Sequence, residues 1–572
     1  MQDTMQHARW VDPSPSNGEA LALAKALKVP ELAAKVLAAR GFQDPGLARE
    51  FLSPSLAGLT GFQGLYGLFQ AVDFLVGAIK SGKTIGVAGD YDADGLTASA
   101  LLLEFLQKVG ADTVWAVPNR FEEGYGFSPA IAGRLARAGA QVVITVDCGV
   151  ADYKGLAEAR ALGLEVVVTD HHQVPDGPKP PAVAIINPQQ KECSFCPHLA
   201  GVGVAFYLAA ALRAGLKDAG WFKNRPLPNL RQCLDLVALG TCADVVPLQA
   251  ENRVLVNEGL KVLAEGRRPG LAALLQVSRI NGPPTDRDLG FALGPRLNAA
   301  GRLGDPSPAL ELLLAPAGEA ARRAAQKLDA LNQERRQIED QVVAEALSEL
   351  ERDHAALSEP CHVLARPGWH KGVLGLVAGR VARATGRPAL VLSIDNGTAA
   401  GSGRSVEGFD LYQALAANRE LFSRFGGHAM AVGAALATKD LPRLAEALSR
   451  RAEELLGKEP APPVLAIEAE ASLPELSPAF TAFLESMSPF GQGNPEPLLV
   501  CRGARVEDTR VVGQSHLKMT LGQSGAQAQA IAFGMADRAP QPGQRLDLAF
   551  TPRMSNFMGR HLELVISDFR PA

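Results

Sequence analysis

Short Val/Ile-rich runs alternate with amphipathic segments between Thr84 and Asp170, a rhythm that predicts an α/β fold on a parallel sheet covered by helices on both faces. Two further observations complete the expected architecture. A charged amphipathic stretch free of Pro and Gly after Gly318 predicts a long helix bridging to a second α/β segment. Beyond the Pro-rich EPAPPV, closely spaced alternating segments predict a small C-terminal β-barrel. The expected division is a helical N-terminal segment over 1–80, the sheet domain over 81–265, a connecting region with the bridge helix over 266–356, the second α/β domain over 357–457 and the barrel over 458–572.

The elements follow in order. LALAKALKVPELAAKVLAARG and FQAVDFLVGAIKSG carry helical spacing in the N-terminal segment. TIGVAGD, TVWAV, QVVITVD and LEVVVTD read as strands, separated by the helical LTASALLLEFLQKVG, SPAIAGRLARAG and ADYKGLAEARALG. Ligands of such sheets bind beyond the carboxyl ends of the strands. Three of the expected strands end in acidic or histidine-bearing segments: Asp90–Asp94, Asp147, and Asp170-His171-His172. In the tail, LLVCRGARVED, HLKMTLG, AQAIAFG, RLDLAFT and HLELVISDF alternate as barrel strands.

Composition narrows the class. At 572 residues the chain exceeds one core, and 47% hydrophobic with 21% charged residues is ordinary globular usage. No apolar run approaches the ~20 residues of a membrane span. The N-terminus lacks the basic start and apolar middle of a secretory signal. Seven cysteines, mostly within apolar runs, suit a reducing cytoplasm better than a disulfide framework. With a net charge of −4, a polyanion must be met by local basic clusters or metal ions.

The chemistry concentrates in Asp90-Tyr91-Asp92-Ala93-Asp94-Gly95. Carboxylates at alternate positions of an extended segment share one side, where they repel unless a cation lies among them. Carboxylate oxygen is the natural ligand of hard divalent ions. The plainer reading of each segment is structural: an acidic N-cap, a turn at Asp147, a surface pair at His171-His172. Convergence on one rim favours a shared site. Its candidate ligands are Asp92, Asp94, Asp147, His171 and a later Asp in LDLVALGTCADVVPL, a set that suits Mn²⁺ or Mg²⁺ rather than structural zinc.

At these residues the chain resembles a known family. GDYDADG, TVDCG, TDHH and LGTCADVVPL are similar, in order, to the four motifs of the DHH phosphoesterase superfamily. GPRLNAAGRLGDP, RPGWHKGVLGLVAGRV, GSGRS, FGGHAMAVG and an OB-like tail extend the likeness to its single-strand-specific 5′→3′ DNA exonucleases over nearly the whole chain. The resemblance implies two divalent ions, one held by Asp92 and Asp147, the other by Asp94, Asp147, His171 and Asp244. Asp244 is preferred to Asp235 because it follows an expected LGT turn, and Asp235 is assigned a supporting role. His172 is expected beside the scissile phosphate. Ala88 stands where some members carry a metal-binding His, so Asp90 or water is expected to complete the first site.

The same resemblance implies that Arg120, Arg302, Ser402 and Arg404 bind a 5′-terminal phosphate. Arg296, Asn298, Ser405 and His428 lie in the same segments, whose glycines permit close phosphate approach. For each Arg singly, an ion pair is the rival reading. From Cys501 onward nine Lys/Arg face six Asp/Glu, and Phe557 in the polar turn MSNFMGRH is the expected base-stacking residue, whereas Phe533 and Phe550 are expected in the core. Removing 458–572 is expected to weaken DNA binding and spare the catalytic centre. Single-stranded DNA is the implied substrate and DNA repair and recombination the implied setting, with a single-strand-binding protein and a helicase as implied partners. The rivals are a phosphodiesterase for short oligonucleotides or cyclic dinucleotides and a non-catalytic scaffold. GAIKSGKT matches a P-loop but should close a helix rather than open one, and Cys193/Cys196/His198 lacks a fourth zinc ligand.

Overall fold

The computed structural model describes residues 8–13, 17–460, 462–555 and 561–572. Its first lobe is built on β1 (Ile85–Gly89), β2 (Thr113–Ala116), β3 (Val142–Val146), β4 (Glu165–Thr169) and β5 (Ala184–Ile186). They form one parallel sheet in the order β2-β1-β3-β4-β5. Every residue of β1 and β3 is buried, which is why these strands read as continuous apolar runs without alternation. One face packs on α1 (Ala93–Lys108), α2 (Gly201–Asp218), α3 (Leu234–Asp244) and the helix Leu68–Lys80. The other is covered by Pro129–Arg137 and Tyr153–Ala161. GAIKSGKT does close a helix and enter a strand, the reverse of P-loop order.

After α4 (Gly294–Leu303) comes the bridge, α5 (Glu319–Arg352), 34 residues and about 50 Å long. Ala321, Ala325 and Leu328 near its start belong to the first lobe's core. Val342, Val343, Ala346 and Leu350 near its end belong to the second lobe's, packed on α6 (Leu374–Thr385). Both lobes thus grip one rigid element. The second sheet runs β9-β10-β8-β7-β6, from β6 (His362–Pro367), β7 (Ala389–Asp395), β8 (Thr398–Arg404), β9 (Phe422–His428) and β10 (Ala431–Ala437). Only β6 and β7 are parallel.

In the tail, β11 (Leu499–Val512), β12 (His516–Gln523), β13 (Ala526–Ala532), β14 (Arg545–Ser555) and β15 (His561–Pro571) close into a five-stranded barrel, with β14 pairing back to β11. Its core includes Ala20, Leu23, Leu32, Leu37 and Ala48 from the N-terminal helices. Arg9–Val11 pairs in parallel with Val464–Ala466. The N-terminal segment is therefore divided between two cores, which changes what a truncation at 458 would expose. Phe550 is buried as expected, but Phe533 is 53% exposed. Inward positions on β13 go to the small Ala530 and Ala532, so the bulkier Ile531 and Phe533 point outward. Phe557 lies outside the described residues. No described helix is long and apolar enough to cross a membrane, and the cysteines are free.

Candidate metal centre

Strands β1, β3 and β4 are neighbours in the sheet, so the segments leaving them meet at its carboxyl edge. Asp92 caps α1, accepting from the backbone N–H of Asp94 (3.0 Å) and Gly95 (3.1 Å). Asp94 lies in the first turn of α1 and accepts from Gly201 N–H (2.6 Å) and Val202 N–H (2.9 Å) at the start of α2. Asp147 follows β3 with φ +60°, a left-handed turn that aims its carboxylate across the edge. Asp244 ends α3.

These groups converge. His171 Nε2 lies 3.1 Å from Asp147 Oδ1, 3.5 Å from Asp244 Oδ2 and 3.9 Å from Asp94 Oδ2. Ligating atoms fall into three overlapping groups, each within 4.8 Å: Asp94/His171/Asp244, Asp90/Asp92/Asp147 and Asp147/His171/His172. The second joins Asp90 to Asp92 and Asp147 on the side where Ala88 offers no ligand. Asp90 Oδ1, Asp147 Oδ1 and His171 Nε2 are buried without hydrogen-bond partners. Buried polar atoms are ordinarily satisfied, so these three orphans fit a group that binds oxygen and nitrogen lone pairs.

Electrostatics agree. Burial, then Asp92, pushes the Asp94 carboxyl up to about 7. Burial, then Asp94 and Asp92, pushes Asp244 up to about 9. Asp90 is raised by burial and by Asp92, and Asp147 by burial and its acidic neighbours. These carboxylates cannot all carry charge together unless a cation relieves them. Burial, with His172 beside it, holds the His171 ring down to about 4, neutral and able to ligate. Burial would lower His172 too, but its hydrogen bond to Asp170 (2.8 Å) overrides that and pushes it up to about 9. Asp170 is in turn fixed by the N–H groups of Val150, His171 and His172. The donor set fits hard divalent ions.

Two expectations about α3 change. Leu239-Gly240-Thr241 is helix, not turn. Gly240 serves close packing: a β-carbon there would collide with Thr97 Oγ1 and lie 2.8 Å from Asp94 Oδ1. Asp235, nine residues before Asp244 and thus about 13 Å away along the helix, does not support the cluster. It pairs with Arg268 at 2.9 Å, and Arg268 also meets Glu104.

The basic residues divide. Arg120 is half-buried, its guanidinium 5.0 Å from the centre of the Tyr91 ring. Arg302 donates to the carbonyl of Gly372 (3.3 Å), and Ser402 and Arg404 lie against Gly375. The turn before α6 and the helix's first residues therefore gather Arg302, Ser402 and Arg404, and His370 in that turn reaches Phe121, next to Arg120, across the lobes (ring centres 5.7 Å). Among the described residues neither Arg120 nor Arg404 makes an ion pair. Arg296, in contrast, is committed to Asp329 (2.8 Å), and Asn298 accepts from Ala93 N–H (2.7 Å), steadying the acidic segment. Ser405 donates to the Phe409 carbonyl, and His428 is exposed on edge strand β9. Cys193, Cys196 and His198 form no metal cluster among the described residues.

Sequence reasoning passed over Tyr125, whose hydroxyl lies 3.0 Å from His172 Nε2, and His370. Tyr125 shares the glycine-punctuated segment of Arg120, the one signal that pointed to it. His370 lies in a motif quoted only for its likeness.

Comparison with known proteins agrees with this geometry. Residues 84–241 match the DHH family N-terminal domain, 358–454 the DHHA1 domain and 467–568 the RecJ OB domain. The chain is 41% identical to the single-stranded-DNA-specific exonuclease RecJ of Salmonella typhimurium, over 95% of this chain and 96% of that one. It is 31% identical to Thermus thermophilus RecJ solved with Mn²⁺, with a TM-score of 0.83 over all of this chain and 80% of that one. The Mg²⁺ form of the Thermus protein gives 30% identity and a TM-score of 0.77, over 99% and 78% of the two chains. The chain belongs to the RecJ family of single-stranded-DNA-specific exonucleases.

Proposed function

We propose that this chain hydrolyses single-stranded DNA from the 5′ end with two divalent ions, Mn²⁺ or Mg²⁺, releasing 5′-mononucleotides in DNA repair and recombination. The observation that carries the reading is that orphaned buried atoms occur on Asp90, Asp147 and His171 where three adjacent strands end, with Asp147 grouped with Asp90 and Asp92 on one side and with His171 on the other. Asp92 and Asp147, with Asp90, would hold one ion; Asp94, Asp147, His171 and Asp244 would hold the other. Bound there, the ions supply Lewis-acid activation of water and charge neutralisation at the scissile phosphate. The protein's own part is orientation and charge. Asp170 holds His172 cationic beside the cluster, where it steadies the phosphate and can give a proton to the leaving 3′ oxygen. Tyr125 braces the same ring.

Polarity comes from the cations between the lobes. Burial, then Arg120 and Arg335, pushes Arg302 down to about 10, and burial with Arg120 lowers His370. Positive groups crowded to mutual cost are relieved by an anion, and a terminal phosphate is the anion a strand end provides. A time course on 5′- and 3′-labelled single strands, with and without EDTA, tests the reading. Label is expected to leave the 5′ end first as mononucleotide and only with metal present; release from the 3′ end, or turnover in EDTA, overturns it. Arg120→Ala should weaken the preference for 5′-phosphorylated over 5′-hydroxyl ends about tenfold or more. An undiminished preference removes Arg120 from this role.

A further inference from the structure

The second lobe has an open side. Strand β6 ends its sheet, at the opposite edge from β9 with its His428. In a parallel ladder alternate residues bond the neighbouring strand. His362 N–H donates to the Pro388 carbonyl (2.9 Å), so His362, Leu364 and Arg366 serve β7, while the N–H and C=O of Cys361, Val363 and Ala365 point away from the sheet. The Ser449 hydroxyl donates to the Cys361 carbonyl (3.3 Å). Among the described residues, none meets the outward groups of Val363 or Ala365. Edge strands are ordinarily blunted by charge, proline or a bulge. Over residues 361–365, roughly 13 Å, this edge has none of them. Pro360 lies before the stretch, Arg366 and Pro367 after it, and the register with β7 is unbroken.

The edge opens on a cleft of about 660 Å³, lined by residues 361–364, the end of α5 and a stripe of the helix Leu441–Leu456. Two features of the cleft point to an occupant. Among its described lining residues, Asp353, Glu359, Glu446 and Glu453 stand against one cation, Arg450, which Glu446 already holds (2.7 Å). Glu453 meets Lys458 at 3.4 Å, and the balance is still acidic. His362, 2% exposed, also lines the cleft, and neither ring nitrogen has a hydrogen-bond partner. The Ala356 carbonyl acts on the ring without bonding it. Burial, then Arg387, keeps the ring neutral at neutral pH, so one nitrogen offers a lone pair and the other an N–H.

We propose that the free edge of β6 receives an extended basic segment of a partner protein as an added strand, with a lysine or arginine side chain donating to His362. Main-chain hydrogen bonds to Val363 and Ala365 supply affinity, and alternate side chains entering the cleft supply selectivity. The acidic lining favours a basic segment. It disfavours a second copy of this chain, because edge-to-edge pairing would bring two acidic rims together. Ser402 and Arg404 lie on β8, two strands away, so an added strand need not cover the residues assigned to the 5′ phosphate. The inference does not rest on the nuclease reading.

The test titrates the full chain, with Mn²⁺ present to occupy the acidic centre, against a short fluorescent peptide alternating valine and lysine, followed by polarisation. A matching valine–glutamate peptide measures the charge preference, and the lysine peptide should bind at least about tenfold more tightly. Val363→Pro removes an outward N–H and no ladder bond, and should weaken lysine-peptide binding about tenfold or more. Glu359→Lys/Glu453→Lys changes two exposed positions and should erase the charge preference, which keeps the proposal testable where the proline variant fails to fold. His362→Phe should weaken binding about 2- to 10-fold. Circular dichroism verifies the fold of each variant. No binding by the wild-type chain up to about 1 mM lysine peptide overturns the proposal. Wild-type affinity in a folded Val363→Pro, or an undiminished charge preference in the double lysine variant, overturns it too. So does a concentration-dependent dimer in size-exclusion chromatography that Val363→Pro abolishes, which would give the edge to a second copy.

Discussion

Asp147 concentrates the demands of the centre in one residue: a left-handed backbone, a buried carboxylate and an orphaned oxygen. Asp tolerates that backbone better than most residues, and Asp147→Asn preserves shape while removing charge. The substitution is expected to abolish the Mn²⁺-dependent rise in melting temperature and to cut nuclease turnover by at least about a hundredfold; scanning calorimetry with and without Mn²⁺ checks the first. Gly240 tests positioning. Gly240→Ala should force Asp94 and Thr97 aside, weakening Mn²⁺ affinity about 10- to 100-fold in a titration and costing about 1–3 kcal/mol of stability. The acids of Asp90–Asp94 and Asp147 were legible in the sequence because they follow the strands they leave, whereas Asp244, at the end of helix α3, was placed by the family likeness. Gly240 was misread because a glycine read as a chain breaker can equally be a close-approach residue, and only the neighbour's position decides. Phe533 was misread for a related reason: the larger residue of an alternating pair was assigned inward, where the barrel has room for alanine.

Among elements, four strands of the first sheet, the barrel strands and the bridge helix were legible from their apolar patterns, since these record which faces are covered; β5 and the strands of the second sheet were not. Nor were contacts between elements. His370 against Phe121, and Tyr125 against His172, depend on how the lobes and loops meet, which no local pattern encodes. Strand β6 offers a test of an element away from the centre. His362 on it is 2% exposed, with both ring nitrogens lacking hydrogen-bond partners. Burial, then Arg387, holds it down to about 4 from 6.5. The unfolded chain therefore binds a proton in that interval and the folded chain does not. Its contribution is intact above pH 6.5 and is lost as pH falls toward 4, by on the order of 3 kcal/mol. His362→Phe should flatten this part of the stability profile, measured by urea unfolding at pH 4.5 and 7; an unchanged slope would assign it to other groups.

At the scale of the molecule, the three-part architecture was legible, but the path of its first helices was not. Short amphipathic helices announce that they pack, never on what. Because Ala20, Leu23, Leu32 and Leu37 lie in the barrel's core, cutting at 458 leaves them uncovered. A chain lacking 458–572 is therefore expected to aggregate, whereas one lacking residues 1–55 as well should stay monodisperse in size-exclusion chromatography. Equal solubility of the two would show that the shared core contributes little.

That shared core also sets a timetable. During synthesis, the helices between 17 and 52 leave the ribosome more than four hundred residues before the strands that cover them. At about 5–20 residues per second they wait roughly half a minute to a minute and a half with their apolar faces bare. The catalytic lobe is complete before its own upstream neighbours can settle, so chaperone occupancy on nascent chains should concentrate at those early helices and vanish only when β15 emerges.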